Sequence, residues 1–157
     1  MDPAVPERMH ELFMDVVRIA GLLEPDQTVA GQPVSVSQAF ALHELDTDPP
    51  LSQRELAERL RLEKSTVSRL AAEMERNGLL VRERDPGNRR IYRLRLTDRG
   101  RALHAHMASA FHHHFVELVS AMTSAERQAL LTGLSALVRA MGDAAPRRAD
   151  PLRAQRG

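Results

Sequence analysis

The sequence predicts a mainly α-helical fold with one small β-hairpin. Apolar residues recur at helical spacing in several segments of the 157-residue chain. The pattern changes to a period of two between residues 79 and 96. The chain holds four Phe, one Tyr and no Trp, so its core has to be built from Leu, Val, Met and Ala. Such a core suits packed helices.

Two helices are predicted in the first 48 residues. The first runs from Pro6 to about Leu23, where apolar residues recur on one face. The stretch from Glu24 to Pro33 is predicted to be a loop, because Glu24-Pro25-Asp26 breaks the pattern. Ser35 and Gln38 match a capping box that opens the second helix. This helix ends before Asp48-Pro49-Pro50.

Two short helices joined by a tight turn are predicted next. Ser52 and Glu55 match a second capping box, which opens the first of them. After the connection Arg61-Leu62, the second helix runs from about Glu63 to Asn77, and Gly78 fits the left-handed position that ends it. The residues predicted to face inward are Leu56, Ala57, Leu60, Val67, Leu70, Ala71 and Met74.

A β-hairpin and two longer helices complete the prediction. The hairpin strands are 79–84 and 90–96, joined by the turn-forming sequence Asp85-Pro86-Gly87-Asn88-Arg89. Thr97 can cap a helix that reaches about Met122. Thr123 and Glu126 match a third capping box, which opens the last helix. Residues 143–157 are predicted to be a disordered tail.

Charge is distributed unevenly along the chain. The formal net charge is only +1. From Arg54 to Arg101, however, 14 basic residues face 8 acidic ones, which leaves a net charge of +6 there and −5 elsewhere. A basic middle between acidic ends is typical of a nucleic-acid-binding module in a more neutral scaffold. A chance cluster of solvated arginines is the alternative.

Two short helices followed by a hairpin form a winged helix-turn-helix. The second helix of such a motif lies in the major groove of DNA, and the wing reaches phosphates or the minor groove. Polar side chains at the start of that helix could either contact DNA or simply face solvent. The arginines near the hairpin tip favour the interpretation that they contact DNA. The predicted DNA-binding residues are Lys64, Ser65, Thr66, Ser68, Arg69, Arg89 and Arg90.

Residues 51–100 resemble the DNA-binding lobe of the multiple antibiotic resistance regulator (MarR) family. The resemblance rests on a wing pattern that begins with an Asp, continues with an Arg, and closes with Leu-Thr and a Gly. Asn88 stands where the family usually has a second acidic residue, so an ion pair made there in relatives is absent from this chain. The matching residues are Asp85, Arg90, Leu96, Thr97 and Gly100.

The resemblance implies a function as well as a fold. The helix from Glu63 to Asn77 is expected to be the recognition helix, and Arg90, with Arg89, is expected to enter the minor groove. Asp85 is expected to support the wing by pairing with an Arg such as Arg69 or Arg76.

The resemblance also implies a homodimer with intertwined first and last helices, which binds a pseudo-palindromic operator in double-stranded DNA. It further implies a regulator, expected to be a repressor, that a small-molecule effector releases from DNA. The predicted regions are 6–48 and 98–142 for helical dimerisation and 51–97 for the DNA-binding lobe.

Several other classes are disfavoured by the sequence. The chain has no Cys, which excludes disulfides and thiolate metal sites. No signal peptide, membrane span, nucleophile motif or phosphate-binding loop is found, so we expect a cytoplasmic protein with no membrane partner, no cofactor and no enzymatic activity. Five of the seven His lie in residues 104–114, but none are three or four apart, so no metal site is predicted. A metal-responsive regulator of the same fold and a winged-helix protein-interaction module are the alternatives.

Overall fold

The computed structural model describes residues 4–21, 29 and 31–144 of the chain. The chain divides into two compact units within its fifth helix, between Phe111 and His112. The tail is predicted to span residues 143–157. Residues 143 and 144 instead belong to the last helix, and residues from 145 onward lie outside the described part. The described elements are α1 Ala4–Ile19, α2 Val36–Leu45, β1 Leu51–Ser52, α3 Gln53–Leu60, α4 Lys64–Arg76, β2 Leu80–Arg84, β3 Tyr92–Leu96, α5 Asp98–Ser120 and α6 Ser124–Ala144.

Capping boxes begin α2 and α3, as predicted. The Ser35 hydroxyl accepts a hydrogen bond from Gln38 N at 3.2 Å, and the Gln38 side chain accepts one from Ser35 N at 3.0 Å. Ser52 and Glu55 repeat the arrangement at 3.2 and 2.7 Å. Each box satisfies backbone N–H groups that a helix start otherwise leaves unpaired.

The third predicted capping box, at the start of α6, is also confirmed. The Glu126 carboxylate accepts hydrogen bonds from Thr123 N at 2.7 Å and from the Thr123 hydroxyl at 2.8 Å. The Thr123 hydroxyl in turn accepts one from Glu126 N at 3.3 Å. Helix α6 therefore begins where the sequence predicted.

The sheet has one strand more than the predicted hairpin. Strands β2 and β3 pair antiparallel, and β1 adds to the other edge of β3, so the order is β1-β3-β2. Leu51 lies opposite Leu94, while Leu80 lies opposite Leu96. The fold is thus a winged helix-turn-helix in which β2 and β3 extend beyond a three-stranded sheet to form the wing.

A leucine-rich core holds the first unit together. All seven residues predicted to face inward on α3 and α4 are buried or half-buried, and Leu56, Val67 and Met74 have no exposed surface. Close packing of this kind fixes which faces of α3 and α4 remain outside. The rest of the buried hydrophobic residues are Val29, Val34, Ala41, Leu42, Leu45, Leu51, Leu79, Leu80, Leu94, Leu96 and Met107.

The start of α5 is in close contact with the two residues that precede β2. The Thr97 hydroxyl accepts a hydrogen bond from Gly100 N at 3.0 Å and donates one to Gly78 O at 2.6 Å. A Cβ atom added to Gly100 would lie 2.0 Å from Leu79 O, so only glycine fits there. The closing Thr and Gly of the wing pattern are therefore packing residues.

Helix α1 buries none of its side chains within the chain. It ends at Ile19, four residues earlier than the predicted end at Leu23, and residues 22–28 lie outside the described part. Helix α6, in the second unit, also has no buried residue. No described helix is long and apolar enough to cross a membrane. The large hydrophobic residues exposed on α1 are Val5, Met9, Leu12, Phe13, Met14, Val16 and Ile19.

Candidate nucleic-acid interface

A tight left-handed turn sets the angle between α3 and α4. Arg61 adopts φ 54° and ψ 39°, and Leu62 N donates a hydrogen bond to Ala57 O at 3.0 Å. A non-glycine residue rarely takes positive φ, so the close approach of the two helices is what holds it. The Arg61 side chain is exposed beside the start of α4.

The outer face of α4 carries the residues predicted to contact DNA. Val67, Leu70 and Met74 are buried on the opposite face. This division follows from the helical period, because residues three and four apart share a face. The structure leaves Lys64, Ser65, Ser68 and Arg69 exposed and Thr66 half-buried.

The wing turn is ordered by one carboxylate and one amide. Asp85 Oδ1 accepts hydrogen bonds from Gly87 N and Asn88 N, both at 2.8 Å. The Asn88 side chain accepts one from Arg90 N at 3.1 Å. Asn88 thus orders the tip without the second acid usual in the family. Arg89 and Arg90 are both exposed at this tip.

Asp85 pairs with a different arginine from the ones predicted. The prediction of Arg69 or Arg76 is wrong, because Arg93 Nε donates to Asp85 Oδ2 at 2.6 Å. Arg93 follows on β3, across the hairpin from Asp85, whereas the two predicted partners lie on α4. The Arg93 hydrogen bond is the largest cause that lowers the pKa of Asp85, and the turn amides of Asn88 and Gly87 lower it further.

A second arginine of the wing is held along the ribbon. The Arg84 guanidinium lies over the ring of Tyr92, with its carbon 4.8 Å from the ring centre. It also donates a hydrogen bond to Arg89 O. This cation–π contact and hydrogen bond keep Arg84 on the ribbon, while the side chains of Arg89 and Arg90 project from the tip.

Basic residues of the lobe divide into paired and unpaired groups. Arg54, Arg59, Arg82, Arg95 and Arg101 each contact a carboxylate, as Arg93 does. Across residues 54–101, all of which the structure describes, the basic side chains that form no carboxylate ion pair are Arg61, Lys64, Arg69, Arg76, Arg84, Arg89, Arg90 and Arg99. All four predicted DNA-binding cations belong to this unpaired group. A cation without an internal partner keeps its full charge for phosphate.

Two histidines meet between α2 and α5. His43 Nδ1 lies 3.3 Å from His104 Nε2, and His104 Nδ1 lies 2.8 Å from Asp46 Oδ2. Only His104 belongs to the histidine-rich segment, and periodicity could not indicate its neighbour on another helix. Within the described residues, no group of three or more His, Cys, Asp or Glu could hold a metal ion.

Residues 32–91 match the sequence model of the MarR family. The matched range holds α2, α3, α4, β2 and the wing turn. This central part of the chain is similar to the MarR family. No curated protein sequence matches the chain.

Several solved structures are similar to this chain over most of its length. FabT of Streptococcus pneumoniae, in complex with DNA, is 23% identical with a TM-score of 0.72, over 89% of this chain and 96% of that one. A MarR-like regulator of Thermotoga maritima is 26% identical with a TM-score of 0.63, over 90% and 98%. A single-residue mutant of MepR from Staphylococcus aureus, bound to an oligodeoxyribonucleotide, is 22% identical with a TM-score of 0.58, over 84% and 97%. The chain therefore shares its fold with these proteins.

No role is predicted from the sequence for two residues of this lobe. Arg93 has none, because Glu55 is distant in sequence and the hairpin register decides which arginine lies beside Asp85. Arg61 was placed in the connection and given no role. The sequence gives no sign of the positive φ at Arg61, since no glycine stands there, but the basic residue in the predicted connection could have been added to the predicted interface.

Proposed function

We propose that this protein is a MarR-type transcription regulator that binds double-stranded DNA. The main support is that Lys64, Arg69, Arg89 and Arg90 are exposed and form no carboxylate ion pair, whereas six of the other ten arginines in residues 54–101 do. Selection for fold stability alone gives no reason to leave these four cations unpaired. Phosphate binding gives one, because each neutralised phosphate releases condensed counterions.

The two basic elements suit different grooves. Helix α4 presents short hydroxyl side chains at Ser65, Thr66 and Ser68, which allow close approach to base edges in the major groove. Arg90 at the wing tip suits the minor groove, where negative potential attracts guanidinium groups. The DNA and oligodeoxyribonucleotide complexes of FabT and MepR support this proposal by their shared fold.

A homodimer is the assembly that we propose. Helices α1 and α6 expose apolar side chains over most of their length, and among them Ile19 is 82% exposed and Val138 is 70% exposed. Apolar surface of this extent is unusual on a monomer and supports burial against a second copy. Twofold symmetry then predicts a pseudo-palindromic operator, with half-sites about 10 base pairs apart.

We further propose that the protein is a repressor in the cytoplasm and that a small molecule releases it from DNA. A groove of about 790 Å³ in the first unit supports an anionic effector, because Arg76 and Arg99 line it beside apolar residues such as Val34 and Leu103. Benzoate tests this proposal as a simple probe. It should weaken DNA binding by the native chain and have less effect after Arg99→Ala.

The two alternative functions require features that differ from those of a DNA-binding regulator released by a small molecule. A metal-responsive regulator needs a third ligand beside His43 and His104, and an interaction module that ignores DNA has no need of four unpaired cations. We propose no enzymatic activity and no cofactor. A chelator that leaves DNA binding unchanged argues against the metal-responsive alternative.

Replacement of Arg90 tests the proposed function. Arg90→Ala should weaken binding to duplex DNA at low salt by about 1–3 kcal/mol, measured by fluorescence anisotropy. Arg95→Ala removes the same charge from a side chain already paired with Glu83, so it is the matched control. Equal affinities for native protein and Arg90→Ala would remove the wing from the mechanism.

A further inference from the structure

The Arg93 side chain connects the wing to the helix-turn-helix. Its Nε donates to Asp85 Oδ2 at 2.6 Å, within the wing, and its Nη1 donates to Glu55 Oε2 at 2.7 Å, on α3. The same Nη1 lies 3.5 Å from Pro50 O, just before β1. One guanidinium thus joins the wing to two sites near the start of α3, 38 and 43 residues earlier in the sequence.

The wing needs such a connection because it leaves the sheet early. Strand β1 pairs with β3 only at Leu94 and Arg93, so the ribbon beyond Arg93 has no third strand. Its residues Ile91 and Tyr92 are 37% and 42% exposed, and the Arg84 guanidinium that lies over the Tyr92 ring belongs to the same ribbon. A two-stranded ribbon is marginally stable and free to bend in water. Arg93 sits at the point where this ribbon begins.

The partners of Arg93 are themselves fixed on both sides. Asp85 Oδ1 accepts the turn amides of Gly87 and Asn88, while Glu55 Oε2 also accepts Ser52 N and so caps α3. The side chains of Arg93 and Asp85 are only 28% and 16% exposed. A half-buried network of charge-assisted hydrogen bonds holds its geometry better than an isolated surface pair.

We propose that Arg93 is a positioning residue that fixes the angle between the wing and α3, and thereby aims Arg90 at the DNA on which α4 has docked. The guanidinium suits this task because its planar fork presents separate donors to two carboxylates. The effect on DNA binding rests on the proposed function, but the effect on the wing itself does not.

The free protein provides the first test. Amide ¹⁵N relaxation gives the order parameters of Gly87 and Asn88 at the wing turn. Both should fall in Arg93→Ala and stay at native values in the control Arg95→Ala, whose pair with Glu83 lies within the hairpin. Arg93→Gln keeps most of the side-chain length and is expected to behave as Arg93→Ala, so it replaces that variant if the latter fails to fold. Unchanged order parameters in a folded Arg93 variant would overturn the proposal.

A double-mutant cycle on duplex DNA provides the second test. If Arg93 acts through Arg90, Arg93→Ala should weaken binding by about tenfold in the native background and by less than about twofold in the Arg90→Ala background. Equal losses in both backgrounds would mean that Arg93 acts independently of the wing tip, and would overturn its positioning role. If the native protein binds no duplex at all, the proposed function fails, and the order parameters alone decide whether Arg93 holds the wing.

Discussion

At the scale of single residues, Asp85 organises the wing. Its two carboxylate oxygens have different partners, since Oδ1 accepts hydrogen bonds from the turn amides and Oδ2 accepts one from Arg93 Nε. These donors stabilise the charged form, which is why the pKa of Asp85 lies below its ordinary value. The pKa of Glu55 is lowered too, first by the backbone and hydroxyl of Ser52 and then by the charge of Arg93. Both carboxylates are therefore ionised throughout the neutral range.

Removal of Arg93 should raise the pKa of Asp85 toward its ordinary value. The Arg93 hydrogen bond is the largest cause of the lowered pKa, so Arg93→Ala removes the strongest of the interactions that lower it. Carbon-13 NMR of the Asp85 carboxyl group across an acid titration measures it, with Arg95→Ala as control. An unchanged pKa in Arg93→Ala would contradict the pairing.

The same lowered pKa sets the pH dependence of the wing. A carboxylate with a folded-state pKa below its unfolded value stabilises the folded protein at pH above the unfolded value. That stabilisation is lost as the pH falls through the folded pKa, below the ordinary range of Asp. Wing-turn amide shifts should therefore stay constant from neutral pH into the mildly acidic range and change only in stronger acid. A transition near neutral pH would mean that another group controls the wing.

Gly100 should be intolerant of any side chain. A methyl group there meets the backbone oxygen of Leu79 at 2.0 Å, so α5 has to shift away from β2. Gly100→Ala should lower the free energy of unfolding by about 1–3 kcal/mol or more, measured by chemical denaturation. Gly133→Ala on α6 is the matched control, because nothing lies within 4 Å of its added methyl group. Equal effects of the two variants would contradict the close contact.

At the scale of elements, local signals were predictable and long-range pairing was not. The capping boxes at Ser35, Ser52 and Thr123 were predicted because each lies within four consecutive residues. The buried faces of α3 and α4 followed from the helical period. Strand β1 was missed, because two residues are too few to show a period and their partner Leu94 is distant in sequence. The predicted partner of Asp85 was wrong for a similar reason, because the register of the hairpin decides which arginine lies beside Asp85.

Substitutions on α4 and on the wing should change DNA affinity in different ways. Arg69 lies on α4 among the residues that we propose read bases, so Arg69→Ala should weaken binding to a selected operator by about 1–3 kcal/mol more than to random duplex. Arg89→Ala should weaken both to a similar extent, because a wing contact reads phosphate or groove shape. Competition titrations of the two duplexes separate these outcomes. The assignment of α4 to base reading would be wrong if Arg69→Ala left operator preference unchanged.

At the scale of the whole molecule, the proposed homodimer rests on the apolar faces of α1 and α6. Leu131 and Val138 on α6 are 63% and 70% exposed, and no described residue covers them. Exposed leucine and valine at this level cost solubility unless another surface buries them. The twofold repetition of α4 and the wing in our account depends on that burial.

A charge on the apolar face of α6 should therefore dissociate the proposed dimer. Leu131→Glu places a carboxylate in the expected interface, where the cost of burying it opposes association. Gln128→Glu adds the same charge to an exposed polar position of the same helix and should leave the assembly intact. Sedimentation equilibrium reads the mass of each variant. A native chain that sediments as a monomer would contradict the proposed assembly.

Selection of bound sequences from a random duplex pool tests the central claim most directly. The account predicts enrichment of a pseudo-palindrome whose half-sites lie about one helical turn apart, bound with a steep dependence on salt. No enrichment over the starting pool, or an enriched site without twofold symmetry, would contradict it.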